Sequence, residues 1–277
     1  MNRKYILSGA PCAGKSSLAR GLSNLTHTQS LDLDDVITSV RGVSPSEIIT
    51  RSGLAEFRRV ESDVFQETFR GGNGEYGILC LGGGAVESAD IRSSLIGRND
   101  ISLISLVCSA EEISTRSLRD YARQQRPVLG EIPEENLKNA REILARRMPF
   151  YRECGAVVYT DFLSSEQLVP IVEALGDISQ PGVTIIPAPQ GDLVSTAIVG
   201  RGILSRLFSG IFSLAQSKSR AFVIDENVYL SSIQKFEQLG VGKEEVYIVP
   251  SGETSKSIQK LEELLKFLAT QGCSRES

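Results

Sequence analysis

Histidine is almost missing from the sequence: His27 is the one histidine in 277 residues. A two-histidine metal centre is therefore excluded, and a Ser-His-Asp triad has a single imidazole to draw on. His27 reads instead as a surface residue near a helix end. Cysteine is sparse too. Cys12, Cys80, Cys108, Cys154 and Cys273 are odd in number, scattered, and form no Cys-x-x-Cys pair. That excludes a disulfide framework and a zinc cage, and it suits reduced thiols in a cytoplasmic protein. No apolar run approaches the roughly 18 residues of a membrane span. No repeat or low-complexity tract occurs, and no signal or transit segment is read ahead of a first strand near Lys4. Positive charge is not in excess either: Lys+Arg 30 against Asp+Glu 34 leaves −4, so no broad basic surface invites nucleic acid or anionic lipid. Any anion site has to be local.

What is present is ordinary globular composition, 41% hydrophobic and 23% charged. Short apolar runs at Tyr5–Ser8, Gln29–Asp32, Ile78–Leu81, Ile101–Val107 and Val157–Thr160 read as strands. Amphipathic stretches such as Lys15–Leu25, Gly53–Phe69 and Glu134–Arg152 lie between them. Alternating strands and helices predict an α/β fold, here a five-stranded parallel sheet with helices on both faces over residues 1–175. The Gly- and Pro-bearing stretch 176–182 reads as a linker. A second series follows in 183–277, with strands at Ser195–Val199, Ala221–Ile224 and Glu245–Val249 and helices near Ile203–Leu214, Val228–Leu239 and Lys256–Gln271.

The most specific motif comes first. Gly9-Ala10-Pro11-Cys12-Ala13-Gly14-Lys15-Ser16, with Ser17 behind it, matches GxxxxGK[ST] between a strand and a helix. Inward-pointing amides can cradle phosphate oxygens where residues lack a Cβ, and a helix N-terminus adds positive potential. Lys15 is expected to reach the β- and γ-phosphates and the Ser16 hydroxyl to ligate Mg²⁺. The loop predicts a nucleoside triphosphate but leaves the acceptor open, because GTPases, ATPases and small-molecule kinases share it.

Other strand ends narrow the acceptor. Asp32 and Asp34 are alternate residues at the end of the second strand and are expected to face the site together, one near the metal and one able to take a hydroxyl proton. Asp35 is expected to cap the next helix. Arg58 and Glu61 share a helical face, so the arginine can be held ready for a carboxylate. Gly82, Gly83 and Gly84 follow the third strand and let amides approach a ligand. Arg119, Arg123 and Arg126-Pro127 lie in a polar stretch with the character of a closing lid, and Arg147-Met-Pro-Phe-Tyr151 ends the helix after it.

In order and spacing, these motifs over residues 1–175 resemble shikimate kinase, of the nucleoside-monophosphate-kinase-like P-loop branch. The resemblance implies ATP and Mg²⁺ at Lys15 and Ser16, with Asp32 behind the metal. It implies Asp34 as the base on the 3-hydroxyl of shikimate, and Arg58 and Arg147 on its carboxylate. Amides around Gly82 and Gly83 complete the pocket, Arg126 descends onto the transferring phosphoryl, and Arg119 lies near the nucleotide. The P-loop composition departs from the family's usual one, and the segment after Thr160 matches poorly, so no base-reading residue is assigned. Another small-molecule kinase, such as a gluconate kinase, would explain the P-loop and lid but not two carboxylate-binding arginines. A non-catalytic metabolite sensor would usually have lost the base, the Lys or the lid Arg.

The second series carries Asp225-Glu-Asn227-Val228 and Pro250-Ser-Gly-Glu253-Thr-Ser-Lys256-Ser257 after successive strands. Read separately each is an N-cap with a turn; together they suggest a dinucleotide crevice. With the turn Ile198-Val-Gly-Arg-Gly202 they resemble the start of 3-dehydroquinate synthase, which implies a partial Rossmann-like unit and NAD contacts at Asp225, Asn227, Glu253 and Lys256. That family goes on to a glycine-rich pyrophosphate turn and a zinc-binding domain, which this sequence does not contain. Synthase activity is not expected from it. Uncovered apolar faces predict self-association through this unit.

Overall fold

Strand β1 (Lys4–Gly9) runs through the centre of the first unit, with Ile6 and Leu7 fully buried. Its neighbour β4 (Ile101–Val107) is buried at all seven positions, the pattern of a parallel strand covered on both faces. The structure is a computed structural model that describes residues 4–71, 76–119, 129–130, 132–176, 179–190, 193–203 and 221–273. With β2 (Ser30–Asp32), β3 (Ile78–Cys80), β5 (Ala156–Tyr159), β6 (Thr184–Gln190) and β7 (Leu193–Val199), these strands form one sheet in the order β2-β3-β1-β4-β5-β6-β7. All its pairings are parallel except the last, β6 with β7.

The helices are α1 (Lys15–Thr26), α2 (Leu33–Arg41), α3 (Pro45–Phe69), α4 (Ala89–Leu95), α5 (Ala110–Arg119), α6 (Pro133–Cys154) and α7 (Ser165–Leu175). Helix α3 starts at a Ser44–Glu47 capping box and breaks at Gly53, where φ is 85°. A residue with a Cβ is disfavoured in that conformation. The break lets the second half of α3 seat Phe57, Val60, Val64 and Phe65 in the core against Leu79, Leu81, Val86, Ile91 and Tyr151. Truncating a buried phenylalanine such as Phe65 costs about 3–5 kcal/mol, which indicates how firmly this face is fixed. His27 ends α1 as an exposed residue, and the five cysteines are free thiols. Among the described residues no helix is long and apolar enough to cross a membrane.

The sheet differs from the expected five strands. Stretch 176–182, read above as a linker, lies between α7 and β6 inside the first unit, which runs to Ile203. Two prolines conceal β6 in the sequence. Pro187 and Pro189 lie beyond Thr184–Ile185, the part of β6 that pairs with β5, so their missing N–H groups leave no gap in that ladder. Strand Ser195–Val199, assigned above to the second unit, is the edge of the first unit's sheet. The expected helix near 203–214 falls almost wholly outside the described residues.

The second unit, Leu204–Ser277, contains a parallel pair, β8 (Phe222–Asp225) and β9 (Val246–Val249). It also contains helices Glu226–Gln238 (α8) and Ile258–Thr270 (α9). Tyr229, Phe236 and Val241 form its small core with Phe222, Ile224 and Val246. Tyr247 meets the Phe267 ring at 5.5 Å.

Candidate active site

The P-loop turns from β1 into α1 through three left-handed residues, Gly9 (φ 130°), Cys12 (φ 58°) and Gly14 (φ 94°). A Cβ at Gly9 would overlap the Leu106 carbonyl, so the glycine is required where β1 passes β4. Gly14 stands at the N-cap of α1 and supplies no side-chain acceptor, and the first turn of α1 holds no acid. Helices α2, α3, α4 and α7 are capped by Asp32, Ser44, Ser88 and Ser164. No capping side chain therefore stands at the head of α1, whose positive end suits an anion. Ala10, Pro11 and Ala13 are buried in the turn. Lys15 Nζ donates to the carbonyls of Gly9 (3.0 Å) and Ala10 (2.9 Å), which folds its ammonium over the loop. Ser17 accepts a bond from Arg20 at 3.4 Å.

Asp32 is the hinge between this loop and the acceptor side. Its Oδ2 accepts from Ser16 Oγ at 3.2 Å and its Oδ1 from the Asp34 amide at 3.1 Å. Asp32, rather than Asp35, is therefore the N-cap of α2, and Asp35 is exposed in the first turn. Asp32 and Asp34 do come together, but across a strand-to-helix junction and not by alternation along a strand. The hydroxyl of Ser16 and the carboxylate of Asp32 are the hard oxygen donors that suit Mg²⁺, an ion that usually keeps several waters and substrate phosphates as its other ligands. Burial and the neighbouring Asp32 raise the Asp34 carboxyl above its usual range, while Lys15 and Arg58 oppose the rise. Among the described residues its buried Oδ1 has no hydrogen-bond partner.

The three glycines form the floor beneath the remaining groups. A Cβ on Gly82 would lie 2.5 Å from Glu61 Oε1 and 3.3 Å from Asp34 Oδ1. One on Gly83 would meet Arg147 Nη1 at 3.4 Å, and one on Gly84 would overlap Arg58 Nη2 and lie 2.8 Å from Arg147 Nη2. Asp34, Arg58, Glu61 and Arg147, from three helices, thus gather over one backbone segment. Arg58 donates to Glu61 Oε2 at 2.5 Å. Burial pushes the Glu61 carboxyl up to about 7 against the pull of Arg58.

Of the polar stretch after β4, Arg119 is exposed at the end of α5. Arg123 and Arg126 lie outside the described residues. Arg116 and Glu87, which no motif contains, and Tyr151, the last residue of the final motif, also shape the site. Arg116 donates to the Cys12 carbonyl (3.1 Å) and the Thr160 carbonyl (2.8 Å), tying the P-loop to the end of β5. Tyr151, fully buried, donates to the Gly83 carbonyl at 2.7 Å. Glu87 pairs with Arg147.

The family profile described as shikimate kinase matches residues 11–175. This chain belongs to the shikimate kinase family. Among its relatives, the shikimate kinase of Mycobacterium tuberculosis is 34% identical over 57% of this chain and 83% of its own length. That of Thermus thermophilus is 32% identical over 61% and 88%. Among solved structures, the shikimate kinase from Acinetobacter baumannii in complex with shikimate superposes with a TM-score of 0.53 at 27% identity, over 62% of this chain and 92% of that one. The Bacteroides thetaiotaomicron enzyme gives 0.55 at 25%, over 62% and 97%. The shikimate kinase family consists of phosphotransferases, and the P-loop and glycine floor lie in its α/β fold.

The motifs of residues 225–257 lie in the second unit. Asp225 caps α8 through the Asn227 amide (2.9 Å) and the Val228 amide (3.3 Å), and it accepts from Ser251 Oγ at 2.9 Å. Lys256 pairs with Glu253 at 2.8 Å, and both are exposed. The structure brings these two motifs to the carboxyl end of β8 and β9. The turn Ile198–Gly202, expected beside them, belongs to the first unit.

Proposed function

We propose that this chain transfers the γ-phosphoryl group of ATP to the 3-hydroxyl of shikimate. The observation that carries the reading is the gathering of Asp34, Arg58 and Arg147 over Gly82–Gly84. The anion-binding loop and the groups suited to a small acidic alcohol follow the carboxyl ends of the neighbouring strands β1 and β3. The α1 amides and Lys15 would hold the phosphates, and Mg²⁺ at Ser16 and Asp32 supplies charge neutralisation when bound. Asp34 would accept the hydroxyl proton, a task its raised carboxyl suits. Two guanidinium groups would grip the carboxylate and fix the hydroxyl in line with the phosphoryl group. The family resemblance would give Arg126, outside the described residues, to the transferring phosphoryl group and Arg119 to the nucleotide.

A coupled assay of ADP release, run with shikimate, quinate and gluconate, tests the proposal. Shikimate-dependent turnover is expected. Turnover of gluconate alone would overturn the substrate assignment.

For the second unit we infer an incomplete NAD-binding element, supported by Asp225, Asn227, Glu253 and Lys256 standing at one strand edge. Ser251 already occupies Asp225, so any NAD affinity is expected to be weak; titration of NAD with no heat or fluorescence change counts against the inference. Exposed Val223, Leu230, Ile248, Leu261 and Leu265 support self-association through this unit. A monomer at every concentration in sedimentation would argue against it.

A further inference from the structure

Arg147 is a cation with 4% of its surface exposed, and a buried charge needs a partner. Its Nε faces Glu87 Oε1 in a short ion pair. Glu87 closes the single 3₁₀ turn Ala85–Glu87 that follows directly on the glycine floor, so its carboxylate is carried by the same backbone that lies under the arginines. Arg146 reaches the same oxygen at 3.4 Å from the solvent side. Burial pushes the Glu87 carboxyl up, but the bond from Arg147 and the charges of Arg147, Arg146 and Arg58 bring it below its usual range. It is therefore an anion at neutral pH.

The geometry of the guanidinium gives this pair a consequence. Glu87 takes Nε, while Nη1 lies beside Gly83 and Nη2 beside Gly84 and the Arg58 guanidinium. Two like charges standing side by side repel unless each has a counter-ion. Arg58 has Glu61, and Arg147 has Glu87. With Nε engaged, the planar fork cannot turn about its own axis, and its Nη edge stays aimed over the floor.

We propose that Glu87 is a positioning residue for the acceptor's carboxylate: it neutralises Arg147 and fixes the guanidinium edge that grips the ligand. This rests on the shikimate reading given above. Arg147 is the group that touches substrate, and Glu87 acts through it.

Steady-state kinetics of Glu87→Gln with shikimate and with its carboxamide counterpart test the assignment. The KM for shikimate rises roughly tenfold or more, about the worth of one charge-assisted hydrogen bond. The KM for ATP stays within about twofold, and the preference for carboxylate over carboxamide shrinks by the same factor as shikimate binding. Glu87→Asp, with a shorter reach, recovers part of the loss. Arg146→Ala, which meets Glu87 from solvent, leaves the shikimate KM within about twofold. An unchanged shikimate KM, an equal rise in both KM values, or an undiminished carboxylate preference overturns the assignment. Should Glu87→Gln fail to fold, Glu87→Asp carries the test: a selective rise in shikimate KM supports it and parallel changes refute it. Wild-type turnover of shikimate in the same assay reports separately on the substrate reading.

Discussion

Gly84→Ala separates the cost of folding from the cost of function. Gly84 has φ −114°, a conformation alanine adopts without strain. The obstacle is the space above it: the new methyl would overlap Arg58 Nη2 and lie 2.7 Å from Arg58 Cζ and 2.8 Å from Arg147 Nη2. Arg58 can yield toward solvent, whereas Arg147 is enclosed, so overpacking costs about 1–3 kcal/mol of stability. The functional cost is larger. Each displaced guanidinium forfeits about 1.5–3 kcal/mol of charge-assisted bonding to a ligand carboxylate. At 1.4 kcal/mol per factor of ten, losing both raises the shikimate KM by roughly a hundredfold or more. The ATP KM should move little, because the side chains of Lys15 and Ser16 bond to Gly9, Ala10 and Asp32, and neither arginine takes part in these bonds. Gly83→Ala is the control, since its methyl would meet its nearest neighbours at 3.4 Å and should change the shikimate KM only slightly. Coupled ADP-release kinetics on both variants, with thermal melts alongside, make the comparison. The reasoning is refuted if Gly84→Ala binds shikimate normally, or if Gly83→Ala is equally impaired.

Asp34→Asn is expected to nearly abolish turnover while nucleotide binding, followed by calorimetry, stays intact; near-normal turnover would remove Asp34 from the role of base. Glu61, raised to about 7 by burial, keeps in the folded chain a proton that the unfolded chain releases above about pH 4.5. Stability therefore falls as pH climbs from there through 7, and Glu61→Gln should lack that slope; parallel denaturation profiles for the two proteins would contradict this. Ile185→Ala, at a position 2% exposed on β6, should cost about 2–5 kcal/mol and lower the melting transition that ATP raises. If that transition is unaffected, β6 does not support the kinase unit.

The central strands were legible because residues covered on both faces read as unbroken apolar runs; Ile101–Val107 was bounded correctly from the sequence. The functional half of α3 was legible too, since Gly53 marks its start both as a break in the pattern and as a left-handed turn. Strand β6 was hidden by prolines that a ladder tolerates only where its partner has stopped. Asp32 and Asp34 were paired correctly for the wrong geometric reason, because a three-residue strand that ends in an N-cap looks like alternation. Arg116 gave no signal. Its targets, the carbonyls of Cys12 and Thr160, lie far away along the chain, and backbone acceptors leave no mark on a side-chain pattern. Glu87 is hidden in the sequence for a related reason. A single acid after three glycines gains meaning only once Arg147 is brought above it.

The family match stops at residue 175, but the folded unit continues to Ile203. The hairpin β6–β7 shields the flank of β5 that would otherwise offer open hydrogen-bonding groups to a neighbouring molecule. A recombinant kinase trimmed at the end of sequence similarity would retain every residue of the cleft and still expose that flank. Its failure to stay in solution would report a wrongly chosen cut, not a defective catalyst.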